Sequence, residues 1–147
     1  MALSGEYKPS TWGWVNKHVE TIEATGDTPS LEILGGAPVI LLTTRGAKSG
    51  AVRKSPLMRV EHGGQYAAIA SKGGDPKHPS WYFNLKAHPE AVLQDGTEVS
   101  DVVATEIEGD ERDLWFQRGV EVYPPYAEYQ EKTDRLIPVF LLTRRSL

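Results

Sequence analysis

The 147-residue sequence contains no cysteine. Disulfides, thiolate metal sites, iron–sulfur clusters and a cysteine nucleophile are therefore excluded together. A cysteine-free chain suits a reducing compartment, and a cytoplasmic location is the expectation. Long apolar runs are also missing. The stretches 38–42 and 137–142 are among the longest, far short of the roughly 20 residues of a membrane-spanning helix. The opening Met-Ala-Leu-Ser-Gly-Glu-Tyr lacks the basic and apolar regions of a secretion signal. There is no overall basic excess. The net charge of −4 argues against a general nucleic-acid binder. Hydrolytic signatures are absent: no Gly-x-Ser-x-Gly and no His-Glu-x-x-His. His18, His62, His78 and His88 sit in unrelated contexts with no ligand spacing, so no metal site is expected.

What remains is an ordinary globular composition, with 39% apolar and 24% charged residues. The length fits one domain, read as an N-terminal helix and connection over 1–36 and a sheet domain over 37–147. Charge is unevenly spread. Arg45, Lys48, Arg53, Lys54 and Arg59 place +5 within 15 residues with no acid among them, leaving −9 on the other 132. Such a cluster is often only a solvated hairpin tip. Here it coincides with the turn Gly46-Ala47-Lys48-Ser49-Gly50, whose glycines free the backbone to present N–H groups to an anion. The spacing does not match a phosphate-binding P-loop, because Ala47 precedes Lys48.

Residues 10–25 read as a helix from the stripe Trp12, Val15, Val19 and Ile22. The apolar run 37–44 reads as a buried strand. Residues 52–61 and 65–71 flank His62-Gly63-Gly64 as a hairpin, with Pro56 marking an edge or a bulge. A short helix is expected over 79–87, with His78 and His88 as capping residues and Pro89 as its stop. Residues 91–93 and 98–107 form a second hairpin around Asp95-Gly96. Asp110 is the expected cap of a helix to Val122, broken by Pro124-Pro125 and followed by a helix over 126–134. The last strand is read at 136–143. About six strands arranged as hairpins, with three or four helices, imply an α+β, mainly β fold: a largely antiparallel sheet closed into a small barrel with peripheral helices.

Three groups are left to carry chemistry. They are the basic loop around Lys48, the run Ala70-Ser71-Lys72-Gly73-Gly74, and the tyrosines Tyr123, Tyr126 and Tyr129. Tyr126 and Tyr129 share a helical face, which suits core packing and suits a pocket mouth equally, since a tyrosine hydroxyl needs water or a partner. Of Trp81, Tyr82 and Phe83, at least one is expected to face the core.

These residues resemble the deazaflavin-dependent nitroreductases. The resemblance is carried by Leu41-Leu42-Thr43-Thr44-Arg45-Gly46-Ala47-Lys48-Ser49-Gly50 with Arg53 and Pro56-Leu57. Ala70-Ser71-Lys72-Gly73-Gly74 followed by His78-Pro79-Ser80-Trp81-Tyr82-Phe83-Asn84-Leu85 adds a second segment. Tyr123-Pro124-Pro125-Tyr126, Tyr129 and Thr133-Asp134-Arg135-Leu136-Ile137-Pro138-Val139 make the third. Departures fall at Ala47, where some members have arginine, and at Met58, where some have an aromatic residue.

The resemblance implies a split β-barrel oxidoreductase using coenzyme F420, a deazaflavin with an anionic tail. It implies that Lys48, Ser49, Gly50 and Arg53 meet the phosphate and tail. Ser55, Pro56, Met58, Ala70, Ser71, Lys72, Gly73, Trp81 and Asn84 complete the cofactor site. Met58, Tyr123, Tyr126 and Tyr129 form the substrate wall. Ser71, Tyr126 and Tyr129 are the candidates to hydrogen-bond the reduced acceptor. The implied reaction is hydride transfer from the reduced cofactor to a nitroaromatic, a quinone or an activated C=C bond such as an enone or lactone. FMN in the same barrel is the alternative cofactor, although one phosphate makes less use of five basic residues. A non-catalytic anion-binding or carrier barrel is the alternative of another class. RNA fits it poorly, because 45–61 contains no aromatic residue for base stacking. Trp12 and Trp14 permit membrane contact by the first helix, while Glu20, Glu23 and the lack of a basic face oppose it.

Overall fold

The computed structural model describes residues 30–31, 37–71 and 78–145. The helix expected over 10–25 lies outside them, as do Lys72 and Gly73. The described strands are β1 (Ser30–Leu31), β2 (Ala37–Arg45), β3 (Val52–Met58), β4 (Glu61–His62), β5 (Gln65–Ile69), β6 (Glu90–Asp95), β7 (Glu98–Ile107) and β8 (Val139–Arg144). The described helices are α1 (Ser80–Ala87), α2 (Gly109–Val122) and α3 (Pro125–Lys132).

Every strand pairing is antiparallel. The strands run β3-β2-β6-β7-β8-β5-β4, with β1 on the start of β2. The two ends of this path, β3 and β4, are separated in sequence only by Arg59-Val60. The sheet therefore curls back on itself into a half-barrel, as its hairpin pattern implied. The single strand read over 52–61 is corrected to two pieces. Pairing passes from β2 to β5 at this corner, and the Val60 carbonyl accepts from Ala67 N–H at 2.9 Å. Asp95 pins the same corner. It accepts from Arg59 Nε at 2.9 and 3.0 Å and from the Tyr66 hydroxyl at 2.5 Å.

The turns obey local chemistry. Gly63 and Gly64 both have positive φ in a two-residue hairpin loop, and Gly96 does so after Asp95. Among the described residues β3 has β2 as its one strand partner, and an edge is where Pro56, lacking an N–H, is tolerated.

Alternation along the strands sorts the core into two clusters. Ile40, Leu42, Ala68, Leu93, Val102, Phe140 and Leu142 pack with Trp81 and Leu85 of α1. Met58, Val60, Ala67, Ile69, Ile107 and Val139 pack with Trp115 of α2 and Tyr126 of α3. Helices thus cover both faces of the sheet. Gly119 lets α2 approach closely, since a Cβ there would collide with Ile69 Cδ1.

Two boundaries are corrected. Asp110 does not cap α2. Glu108 takes that position without a side-chain bond, and Asp110 lies in the first turn, where its charge suits the helix dipole. The last strand begins at Val139 rather than at 136. Pro138 has no N–H, and both polar groups of Ile137 are spent elsewhere. Its N–H goes to Gln130 Oε1 at 3.0 Å and its carbonyl to Arg112 at 2.8 Å.

Candidate active site

The basic hairpin is β2, the turn at 46–51, and β3. The turn is held from within. Gly46 N–H donates to Ala51 O at 2.7 Å, and Gly50 N–H, from a residue with φ of 69°, donates to Gly46 O at 3.0 Å. Ala51 N–H donates to Ser49 Oγ at 3.1 Å, and Arg45 Nη1 to Gly50 O at 2.9 Å. Four amides of the turn are therefore unavailable to an anion once Ala47 is counted, because Ala47 N–H donates to Asn84 Oδ1 at 3.0 Å. The expectation of a backbone cradle narrows to the Lys48 and Ser49 amides, which make no bond among the described residues. Beside them the turn offers side chains.

Pairing sorts those side chains. Arg45 is used on Gly50, Arg59 is paired with Asp95, and Lys54 is also engaged. Lys48, exposed at the tip, and half-buried Arg53 have no acidic partner among the described residues. The Ser49 hydroxyl accepts from Ala51 and keeps its own hydrogen to donate. Register then splits the β3 candidates. Arg53 and Ser55 lie opposite Thr44 and Leu42, on the α1 side of the sheet. Pro56 and Met58 lie opposite Leu41 and Val39, on the other side.

Asn84 fastens this turn to α1. Its Oδ1 holds Ala47, and its Nδ2 donates to buried Thr44 Oγ1 at 3.2 Å. Trp81, Asn84 and Leu85 form the buried face of α1, while Phe83 is exposed, so Trp81 meets the core expectation. Trp81 packs edge-on against Phe140 within the core. With both ends of its amide engaged, Asn84 acts on the turn. Its replacement by alanine is expected to cost about 2 kcal/mol of stability and to weaken anion binding about tenfold, since two partners are left unmade. Thermal melting and a cofactor titration check this, and unchanged affinity would refute the coupling.

Ser71 is 8% exposed and follows β5. Its N–H donates to Ile69 O at 2.9 Å, and its carbonyl accepts from Arg135 Nη2 at 2.8 Å. Its hydroxyl has no partner among the described residues. Arg135 Nη1 also donates to Ala70 O at 3.0 Å and lies 3.3 Å from His78 Nδ1. Arginine has no acceptor, so this His78 nitrogen must be unprotonated. His78 does not cap α1. It stacks on Tyr82, with centroids 4.0 Å apart.

Burial, then the charge of Arg135, lowers the His78 pKa below its ordinary value of 6.5. The unfolded chain therefore takes up the proton first as pH falls. This contribution to stability is whole above about pH 6.5 and is lost as pH drops through the folded value. Urea midpoints should fall on going from neutral pH to pH 5.5, and less so in H78Q. Parallel losses in both proteins would refute the assignment.

Tyr123, Tyr126 and Tyr129 come together. Their ring centroids are 5.2 to 6.2 Å apart, and the Tyr123 and Tyr129 hydroxyls are 3.1 Å apart. Tyr126 is buried in the cluster that contains Met58 and Ile69, and the other two pack against it. Burial, then the neighbouring phenols, raises the Tyr126 pKa far above 10. Burial and the bond to Tyr123 push Tyr129 up to about 12. Both stay protonated donors across the working pH range.

Sequence reasoning missed Arg135 as a site residue. It also missed Arg112 and Gln130, which hold the backbone around it. The available signal was a charged residue set against the buried run 137–140. Helix α1 links the two halves of the site. His78 beside Ser71 and Arg135 lies just before it, and Asn84 at the basic turn lies four residues into it, about 6 Å along the axis.

The profile of the family described as F420H(2)-dependent quinone reductase matches residues 14–144. An F420H(2)-dependent quinone reductase of Mycobacterium tuberculosis is 40% identical over 116 residues, spanning 77% of this chain and 78% of that protein. A solved structure titled as an F420-H2 dependent reductase superposes with a TM-score of 0.68 at 63% identity, covering 71% of this chain and 93% of that one. Another, titled as a domain-swapped dimer, superposes with a TM-score of 0.71 at 55% identity, covering 88% and 97%.

Proposed function

Since this chain belongs to the F420H(2)-dependent quinone reductase family and is an oxidoreductase that uses coenzyme F420, we propose that it reduces a quinone-type acceptor beside Ser71. The observation that carries this reading is the pair of cations without an acidic partner among the described residues, Lys48 and Arg53, on the hairpin that Asn84 fastens to α1, together with the Ser71 hydroxyl, which also has no partner among the described residues and whose backbone Arg135 ties to His78 just before α1.

The residues fit the cofactor by their chemistry. Lys48 and Arg53 supply positive charge for an anionic tail, and the Ser49 hydroxyl supplies a donor. Charge-assisted contacts of this kind contribute about 1.5–3 kcal/mol when well formed and less at exposed positions. Gly50 shapes the turn, and Asn84 anchors it. Ser55 and Trp81 lie on the α1 side of the sheet, and Ala70 and Ser71 line the ring end. Pro56 lies on the edge strand, and Lys72 and Gly73 continue from Ser71. When bound in its reduced form, F420 supplies a hydride. The Ser71 hydroxyl donates a hydrogen bond to the acceptor oxygen, where negative charge develops. Met58, Tyr123, Tyr126 and Tyr129 wall the acceptor and exclude water. Tyr126 and Tyr129, kept neutral by burial, are further donors. Quinones suit this arrangement because their charge collects on an oxygen that a single hydroxyl can reach.

The test is fluorescence titration with oxidised F420, FMN run in parallel, followed by mixing with reduced F420 and a soluble naphthoquinone. Saturable F420 binding that weakens with salt, little response to FMN, and quinone-dependent oxidation of the cofactor are expected. Binding without quinone-dependent oxidation would sink the acceptor assignment.

A further inference from the structure

Ser71 owes its position to a side chain more than sixty residues away. Its N–H is fixed by Ile69, and its carbonyl by Arg135. The same guanidinium holds Ala70 O and reaches His78, so it joins the end of β5 to the approach of α1. Arg135 lies in the stretch between α3 and β8, which has no regular backbone pairing, yet that stretch is tightly held. Gln130 Nε2 donates to Arg135 O at 2.8 Å, and Ile137 N–H donates back to Gln130 Oε1 at 3.0 Å. Arg112 of α2, 6% exposed, donates to Ile137 O at 2.8 Å and to Gln130 Oε1 at 3.0 Å. Hydrogen bonds thus run without a break from α2 through α3 to the Ser71 backbone.

We propose that Arg135 is a positioning residue for the reduction: its fork fixes the Ala70-Ser71 backbone so that the Ser71 hydroxyl points at the acceptor. This rests on the assignment of Ser71 as a donor to the acceptor. Three acceptors on two segments need the planar, multi-donor guanidinium. The single ammonium of lysine keeps the charge and loses the geometry. A displacement of about 1 Å at a reacting group is enough to cost about 100-fold in rate.

The test is a double-mutant cycle on kcat with reduced F420 and a naphthoquinone, using the parent, R135K, S71A and the double variant. Dissociation constants for oxidised F420 are measured on each. R135K is expected to lower kcat by about tenfold or more with F420 affinity kept. In the S71A background the same change is expected to have little further effect. An equal loss in both backgrounds would show that Arg135 does not act through Ser71, and would overturn the proposal. An S71A variant with parental kcat would overturn the Ser71 assignment itself, and the proposal with it. H78A provides a second cycle should R135K fail to fold. It removes one partner of the guanidinium, so a smaller kcat loss that disappears in the S71A background is expected, and an additive loss overturns the proposal.

Discussion

Alanine at both Lys48 and Arg53 will weaken binding of oxidised F420 by about 100-fold or more, while the melting temperature stays close to that of the parent. The magnitude follows from one half-buried and one exposed charge-assisted contact, together about 3 kcal/mol. The stability expectation follows from the pairing pattern. Neither cation has an acidic partner among the described residues, so little within the fold is lost with them. The affinity of the parent should fall steeply with added salt, and the double variant should show a flatter dependence. The contrasting variant is R59A, which breaks the pair with Asp95 and should lower stability before affinity. A double variant that binds F420 as tightly as the parent would remove the basic turn from the cofactor site.

The largest stability effect belongs to a residue outside the site. Replacing Arg112 by alanine is expected to destabilise the protein by about 3 kcal/mol, or roughly 10 °C in melting temperature. Its guanidinium donates twice to Ile137 O, at 3.2 and 2.8 Å, once to Gln130 Oε1, and lies 4.4 Å from the Phe116 ring centroid. Truncation strips the buried Ile137 carbonyl of these donors and opens a gap under α2. The ion pair with Asp113 contributes little, because that carboxylate side chain is 68% exposed. D113A should therefore be nearly neutral. Urea unfolding at constant m-value separates the two variants, and an R112A protein as stable as D113A would refute this account.

Much of the architecture was legible from local chemistry. Gly63-Gly64 and Asp95-Gly96 announce tight hairpins because few residues accept positive φ. Pro56 announces an edge because it has no N–H. The continuous apolar run over 37–44 announces a buried strand. The boundaries that shifted did so for tertiary reasons. Residues 59 and 60 form a barrel corner because pairing passes from β2 to β5, and the last strand starts late because Arg112 and Gln130 take both backbone groups of Ile137 and Pro138 has no N–H to pair.

The candidate site divides in the same way. The sequence by itself determined that positive charge is concentrated in one turn, that redox chemistry must come without thiols, and that Ser71 sits beside a glycine-rich segment. These are matters of composition and spacing. Only the tertiary structure decided which of the five cations are spent on Gly50, Asp95 and other partners, and which two have no acidic partner among the described residues. It also decided that Asn84 holds the turn, that Met58 joins the tyrosines on the face opposite Arg53, and that Arg135 reaches Ser71. The physical reason is that hydrogen-bond and ion-pair satisfaction is a property of neighbours in space. Residues 71, 78 and 135 become neighbours only when the sheet curls and α1 packs against it.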